Sequence, residues 1–149
     1  MATFPLPSRP ALSYRTGGRR FGAPRDGGRQ HAGCDLIAPA GTEIRAVEAG
    51  TVVRGPYPFY HGTHAIEVQH PGSVVRYCEI RGVAEGIAVG SAVTEGQTIA
   101  YVGRMYTDSM LHLEMYDGSR TGQLTQPNNP PYQRRADLMD PSSYLDGCT

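Results

Sequence analysis

The chain has 149 residues, the length of one domain, and at that size folding hides roughly 68–70% of the surface of the unfolded chain, so a hydrophobic core needs no metal or disulfide to hold it. Fourteen basic and fourteen acidic residues cancel, which argues against a nucleic-acid or membrane-surface protein held by charge alone. All fourteen basic residues are arginine, and the absence of lysine excludes Schiff-base chemistry, a P-loop lysine and any lysine-tethered cofactor.

Residues 1–30 are rich in Pro, Gly and Arg with little periodicity, and read as an extended arm that either wraps the domain or stays mobile. They hold no apolar run of signal-peptide type, and no stretch approaches the length needed to span a bilayer. The expectation is therefore no signal peptide and no membrane insertion. From about 34 to 116 short β-prone runs alternate with glycines. The predicted strands are Asp35–Ala38, Glu43–Val47, Gly50–Arg54, His64–Gln69, Val74–Ile80, Ala92–Val93, Thr98–Val102 and Leu111–Tyr116. Their spacing predicts an all-β fold, a small antiparallel barrel or sandwich. Two similar hairpins, around Gly41–Thr51 and Gly90–Thr98, echo lipoyl and biotinyl carriers, but such carriers need a lysine that is absent here. Helix is expected only near the end, where Asp140 is placed as an N-cap followed by Pro141 at the first position.

Three cysteines, Cys34, Cys78 and Cys148, are odd in number and lack CxxC spacing, so reduced thiols are expected; a Cys34–Cys78 bridge stays open if their two segments converge. Two of the five histidines stand in suggestive contexts. His31-Ala32-Gly33-Cys34-Asp35 puts an imidazole and a carboxylate four apart at the entry to a strand. In Leu111-His112-Leu113-Glu114, alternation sets His112 and Glu114 on one face and the leucines on the other. His31, Asp35 and His112 together make a three-ligand zinc site with a fourth position open to water. A metal held there acidifies that water toward neutral pH. The plainer accounts are a solvated His31 beside an Asp35 that accepts backbone N–H groups, and a half-buried His112 bonded to Glu114. His61 and His70 read as surface or loop residues. Arg134-Arg135 reads as a solvated tail, and Tyr57-Pro58-Phe59-Tyr60 as an aromatic loop that walls a groove or caps the barrel.

Several ordered motifs resemble the M23, or lysostaphin/LytM-type, zinc metallopeptidases. These are His31-Ala32-Gly33-Cys34-Asp35-Leu36, Ala38-Pro39-Ala40-Gly41-Thr42 and Ala46-Val47-Glu48-Ala49-Gly50-Thr51-Val52; then Ile66-Glu67-Val68-Gln69-His70 and Val75-Arg76-Tyr77-Cys78-Glu79-Ile80; then Val93-Thr94-Glu95-Gly96-Gln97-Thr98-Ile99-Ala100-Tyr101-Val102-Gly103 and Met110-Leu111-His112-Leu113-Glu114. The resemblance covers about residues 21–116. It divides the chain into an arm, 1–20, and an M23-like peptidase domain, 21–149.

That resemblance implies zinc held by His31, Asp35 and His112, and a zinc-dependent endopeptidase acting on the peptide crosslinks of bacterial peptidoglycan, with a groove favouring small residues. The two assisting histidines of the family pattern are replaced by Glu79, in the Tyr-x-His position, and by Met110, in the first position of His-x-His. Two readings follow. In one, Glu79 is the base that takes a proton from water at the metal, or else a fourth ligand; His64 orients the scissile carbonyl or its oxyanion, or else is an edge-strand surface residue; and Glu114 orients His112 from behind. In the other, the domain is catalytically silent and serves as a cell-wall-binding, regulatory or structural module. Cys34 and Cys78 default to small core residues. A wall substrate and no visible leader together imply delivery by a phage particle or a secretion system. No nucleic-acid partner is expected.

Overall fold

A computed structural model describes residues 2–149. Along them run β1 (Cys34–Ile37), β2 (Glu43–Arg45), β3 (Gly50–Pro58), β4 (His64–His70), β5 (Ser73–Val83), β6 (Ala92–Val93), β7 (Thr98–Met105), β8 (Asp108–Tyr116), β9 (Leu138–Met139) and a short helix α1 (Ser142–Asp146). The strands form one antiparallel sheet in the order β1-β8-β7-β5-β4-β3-β6, with β2 added to β7, β9 added to β8, and a second pairing between β8 and β5. No described helix is long and apolar enough to cross a membrane.

Alternation decides which face is which. On β8, Leu111, Leu113 and Met115 enter the core; on β5, Val75 and Tyr77; on β4, Ile66 and Val68. The intervening residues, His112 and Glu114, Arg76 and Cys78, and Glu67, share the opposite face. That face is concave and partly covered by residues 117–137, whose Leu124 packs against Val74 and Tyr116.

All eight predicted strands are present. β3 runs on to Pro58 although Gly55, Pro56 and Pro58 read as breakers; register shifts after Val52 and Arg54 absorb them. β9, two residues long, had no periodicity to detect. The helix begins at Ser142, with Asp140 Oδ1 accepting from Ser142 N–H at 2.9 Å and Ser142 Oγ–H at 2.6 Å. Asp140 thus plays the expected capping part, one residue earlier than the assigned cap.

Of the two fates open to the arm, wrapping is the one observed. Thr3 N–H donates to Val47 O at 2.9 Å and Arg45 N–H to Pro5 O at 2.8 Å. Arg9 donates to Leu145 O at 3.0 Å and Cys148 O at 2.5 Å. Phe4, Leu6 and Tyr14 are buried in the main core, each large apolar side chain contributing about 1.5–3 kcal/mol by leaving water.

Two expectations are corrected, and one left open is decided. His70 is buried, not on the surface. Tyr77 Oη accepts Val47 N–H at 3.1 Å, the Tyr77 hydroxyl lies 3.0 Å from His70 Nε2, and His70 Nδ1 lies 3.1 Å from Ala49 O. A single neutral tautomer satisfies every group in that chain, and burial lowers the pKa of His70. Arg134 and Arg135 are buried as well, paired with Glu114 and Asp137 respectively; their partners are distant or on the far side of a turn, which local composition does not reveal. The three cysteines are free and buried, so Cys34 and Cys78 are not bridged; the Cys34 Sγ lies 3.4 Å from Ser142 Oγ instead.

Candidate metal centre

The register of β1 on β8 sets Asp35 directly opposite His112, close enough for their side chains to meet. His31 enters from a hairpin just before β1, fixed by His31 N–H to Ala23 O and Gly22 N–H to His31 O, both 2.8 Å. Gly33 makes this approach feasible: a Cβ there would lie 2.3 Å from Leu113 O. The outcome is a triangle of buried atoms. His31 Nε2 and Asp35 Oδ1 are 3.1 Å apart, His31 Nε2 and His112 Nδ1 3.2 Å, and His112 Nδ1 and Asp35 Oδ1 2.8 Å.

The outward nitrogens fix what this triangle presents. His31 Nδ1 lies 2.8 Å from Arg20 O, which can only accept, so Nδ1 carries the hydrogen and Nε2 turns a lone pair inward. His112 Nε2 lies 2.8 Å from Glu114 Oε2, and its donation there leaves Nδ1 free to give a lone pair. Three electron-pair donors this close need a cation between them. Atoms that ligate one tetrahedral zinc at about 2.0–2.1 Å are about 3.3 Å apart; the observed edges are that triangle drawn in by a few tenths of an ångström. The residues therefore fit a metal ion.

Titration gives the same picture without the ion. Burial alone would lower the pKa of His112, but hydrogen bonds to Asp35 and Glu114 outweigh it and raise the value to about 10. Burial would raise the pKa of Asp35, but His112 and His31 outweigh it and hold the carboxyl well below the usual range. Without metal, a proton on His112 serves as the missing cation.

Behind His112 runs a ladder of alternating charge. Arg54 pairs across the sheet with Glu67, Glu67 with Arg76, and Arg76 with Glu114. Glu114 is fully buried. It accepts from Arg76 Nη2 at 2.7 Å, from Arg134 Nε at 3.1 Å and from Tyr116 Oη at 2.5 Å. Burial opposes its ionisation, but Arg76, His112 and Arg134 together hold its pKa far below normal. Glu114 thus joins the His112 ring to this charged network through the 2.8 Å contact with its Nε2. A lone arginine between Val75 and Tyr77 was the available sign of this ladder; Arg134 had no local sign.

A cavity of about 370 Å³ opens over the triangle, lined also by Glu79, Met110, Tyr60 and His61. Phe59 lies over His112 with ring centroids 6.2 Å apart, so the aromatic segment walls the site. Glu79 sits where β5 changes neighbours. Cys78 pairs with His112 of β8, Ile80 pairs with Val102 of β7, and Glu79 is the bulged residue between them, with φ +63°. Gly103 allows this, since a Cβ there would stand 2.7 Å from Glu79 O. Glu79 is buried and its Oε1 has no hydrogen-bond partner. Burial raises its pKa from 4.5 to about 7, with Asp35 and Glu114 adding to the rise and His112 opposing it. His64 is not on an edge: it stands between Pro58 of β3 and Ile80 of β5, with Nδ1 buried and unpartnered, and it does not line the cavity.

Cys78, His112 and Glu114 form a second cluster with metal-ligating atoms. Two arginines already balance Glu114, and burial holds the Cys78 thiol protonated, so this group needs no ion.

The fold is shared with solved structures. The catalytic domain of the antimicrobial peptidase lysostaphin from Staphylococcus simulans superposes with a TM-score of 0.68 at 22% identity, covering 90% of this chain and 93% of that one. Helicobacter pylori Csd3 gives 0.62 at 23% identity, with 98% of this chain covering 39% of that one. A zinc-containing peptidase from Vibrio cholerae gives 0.59 at 22%, over 77% and 36%. The model of peptidase family M23 matches residues 29–127, which include all three donors of the triangle, and the chain belongs to that family.

Proposed function

We propose that this protein is a zinc-dependent endopeptidase that hydrolyses peptide crosslinks of bacterial peptidoglycan. The observation that carries the reading is the triangle of His31 Nε2, Asp35 Oδ1 and His112 Nδ1, with both imidazoles tied from behind so that lone pairs converge. Membership of the M23 family and the lysostaphin-like fold support it. Zinc, when bound, polarises the scissile carbonyl and acidifies water for attack.

The chain's own groups do the rest. Glu79 Oε1, buried and unpartnered on the cavity wall, is a proton acceptor with a pKa lifted toward the working range of a general base. Having taken a proton, it passes it to the leaving amine. Glu114 fixes the ring and tautomer of His112, and Arg76 and Arg134 fix Glu114. Phe59 and Tyr60 shield one side from solvent. Met110 stands where the family pattern has a histidine and relays no proton, so this reading places the proton on Glu79. Met110 is also the observation that favours the alternative of a silent wall-binding module.

The test is muropeptide release from sacculi, together with metal content, for wild type, Glu79→Ala and His112→Ala. The expected result is one zinc ion per wild-type chain, release by wild type, loss of metal in His112→Ala, and a fall of about 10²–10⁴-fold in rate with metal retained in Glu79→Ala. Wild type that binds zinc and sacculi but releases nothing would establish the silent module.

A further inference from the structure

The hairpin that delivers His31 carries two arginines that the fold itself does not use as a pair. Pro24 and Gln30 form an antiparallel bridge, and Arg25 N–H donates to Arg29 O at 2.8 Å. This register sets Arg25 opposite Arg29, and both line the cavity over the triangle. Like charges directly opposite on a strand pair repel. The turn between them, Asp26-Gly27-Gly28, gives the chain ample freedom to splay them into water, yet both side chains are only part-exposed.

Their surroundings differ. Arg25 Nη2 donates to Gly18 O at 2.7 Å and stands 3.8 Å from Asp35 Oδ2. Arg134, the third guanidinium of the lining, is held by Glu114. Arg29 has no side-chain hydrogen bond or ion pair among the described residues. With Arg134 balanced by Glu114, Arg25 and Arg29 flank the Asp35 and Glu79 carboxyls, and a divalent cation at the triangle would add positive charge beside the unpaired Arg29. Such a wall attracts anions and repels cations.

We infer that this wall binds the carboxylate of an acidic peptide, with Arg29 as the residue that recognises it. The inference rests on the peptidase reading above and names its substrate class. A planar guanidinium matches a carboxylate with two parallel N–H···O bonds, which a glycine-only peptide chain cannot supply from its interior. Position follows from the backbone. Arg29 is extended (φ −69°, ψ 155°) and lies two residues before His31, about 6–7 Å along the chain, and both residues line the cavity. An extended substrate rises by the same step, so the recognised carboxylate sits about two residues from the bond that is cut. Small residues at the cleavage point remain compatible with an acid at that distance.

The experiment uses zinc-loaded protein and three fluorescein-labelled hexapeptides: glycine with one internal glutamate and an amidated end, the same with glutamine, and an all-glycine chain with a free terminal carboxylate. Fluorescence polarisation measures affinity, and mass spectrometry records cleavage separately. The glutamate peptide is expected to bind about tenfold more tightly than the glutamine peptide. That gap should shrink as salt is raised from about 0.1 M to about 1 M, where screening shortens from about 10 Å to about 3 Å. Arg29→Gln should make the two affinities equal, and Arg29→Lys should keep part of the gap. Tighter binding of the free-carboxylate chain instead would identify the anion as a peptide terminus. Equal affinity of wild type for all three, or a gap that survives Arg29→Gln, overturns the inference. An Arg29-dependent gap without cleavage of any peptide leaves the carboxylate site standing and counts against the peptidase; cleavage without a gap does the reverse.

Discussion

Glutamine at position 79 exposes what the buried carboxyl does to the fold. Burial lifts the Glu79 pKa from 4.5 to about 7 in the folded, metal-free protein, so folding favours the neutral acid. Below about pH 4.5 the group is protonated in both states and contributes equally to each. Between about 4.5 and 7 the unfolded chain ionises first, and the stability associated with the neutral acid is lost as pH rises through the folded value. By about pH 8.5 the loss is complete and amounts to about 3 kcal/mol. Glutamine has the same shape and does not ionise. Metal-free Glu79→Gln should therefore match wild type at about pH 4.5 and exceed it by about 3 kcal/mol at about pH 8.5, a rise of about 6–12 °C in Tm for a chain of this length. Differential scanning calorimetry across that range, in the presence of a chelator, reads the gap. With zinc bound, the nearby positive charge favours the ionised carboxylate, and the gap should narrow. A gap that is flat with pH, or that closes as pH rises, would refute the account of Glu79 as a carboxylate forced out of water without a partner.

Two further outcomes follow from the groups around the triangle. Glu114→Gln leaves Arg76 and Arg134 buried opposite a neutral amide, which should cost about 3–5 kcal/mol and lower Tm by about 10 °C. The same change should weaken zinc binding about 10–100-fold; a Tm and a chelator-competition constant equal to those of wild type would show that the ladder is idle. Zinc binding at about pH 8 should release at least one proton, because His112, with its pKa raised to about 10, must surrender the hydrogen on Nδ1. Calorimetric titration in two buffers of different ionisation enthalpy counts that proton, and a count of zero would contradict the picture of a proton standing in for the metal.

Much of this centre was readable from residue order. The period of two in Leu111-His112-Leu113-Glu114 put His112 and Glu114 on one face, and the pairing of Asp35 with His112 follows once β1 and β8 are neighbours. The strands were readable because apolar alternation is local. What escaped the sequence is non-local. Arg134 reaches Glu114 from a loop twenty positions away in the chain, and the buried His70 owes its place to Tyr77 and Ala49. The ends of β3 and β5 escaped because glycine and proline there serve register shifts inside strands rather than turns between them. His64 sits beside Ile80 in the sheet, one bulge away from Glu79, and that bulge sends the two side chains to different surroundings.

The bulge at position 79 also separates where the acceptor stands from what it is. Strand β5 is stitched to β8 on one side of this residue and to β7 on the other, so its aim is dictated by neighbours that would hold any occupant. A left-handed backbone suits histidine better than glutamate among non-glycine residues, and a poorly suited side chain there costs on the order of 1 kcal/mol. The scaffold can bear that small penalty. On the proposed reading, an imidazole or a carboxyl could therefore occupy this one address and differ in acidity alone, without relaying a single strand.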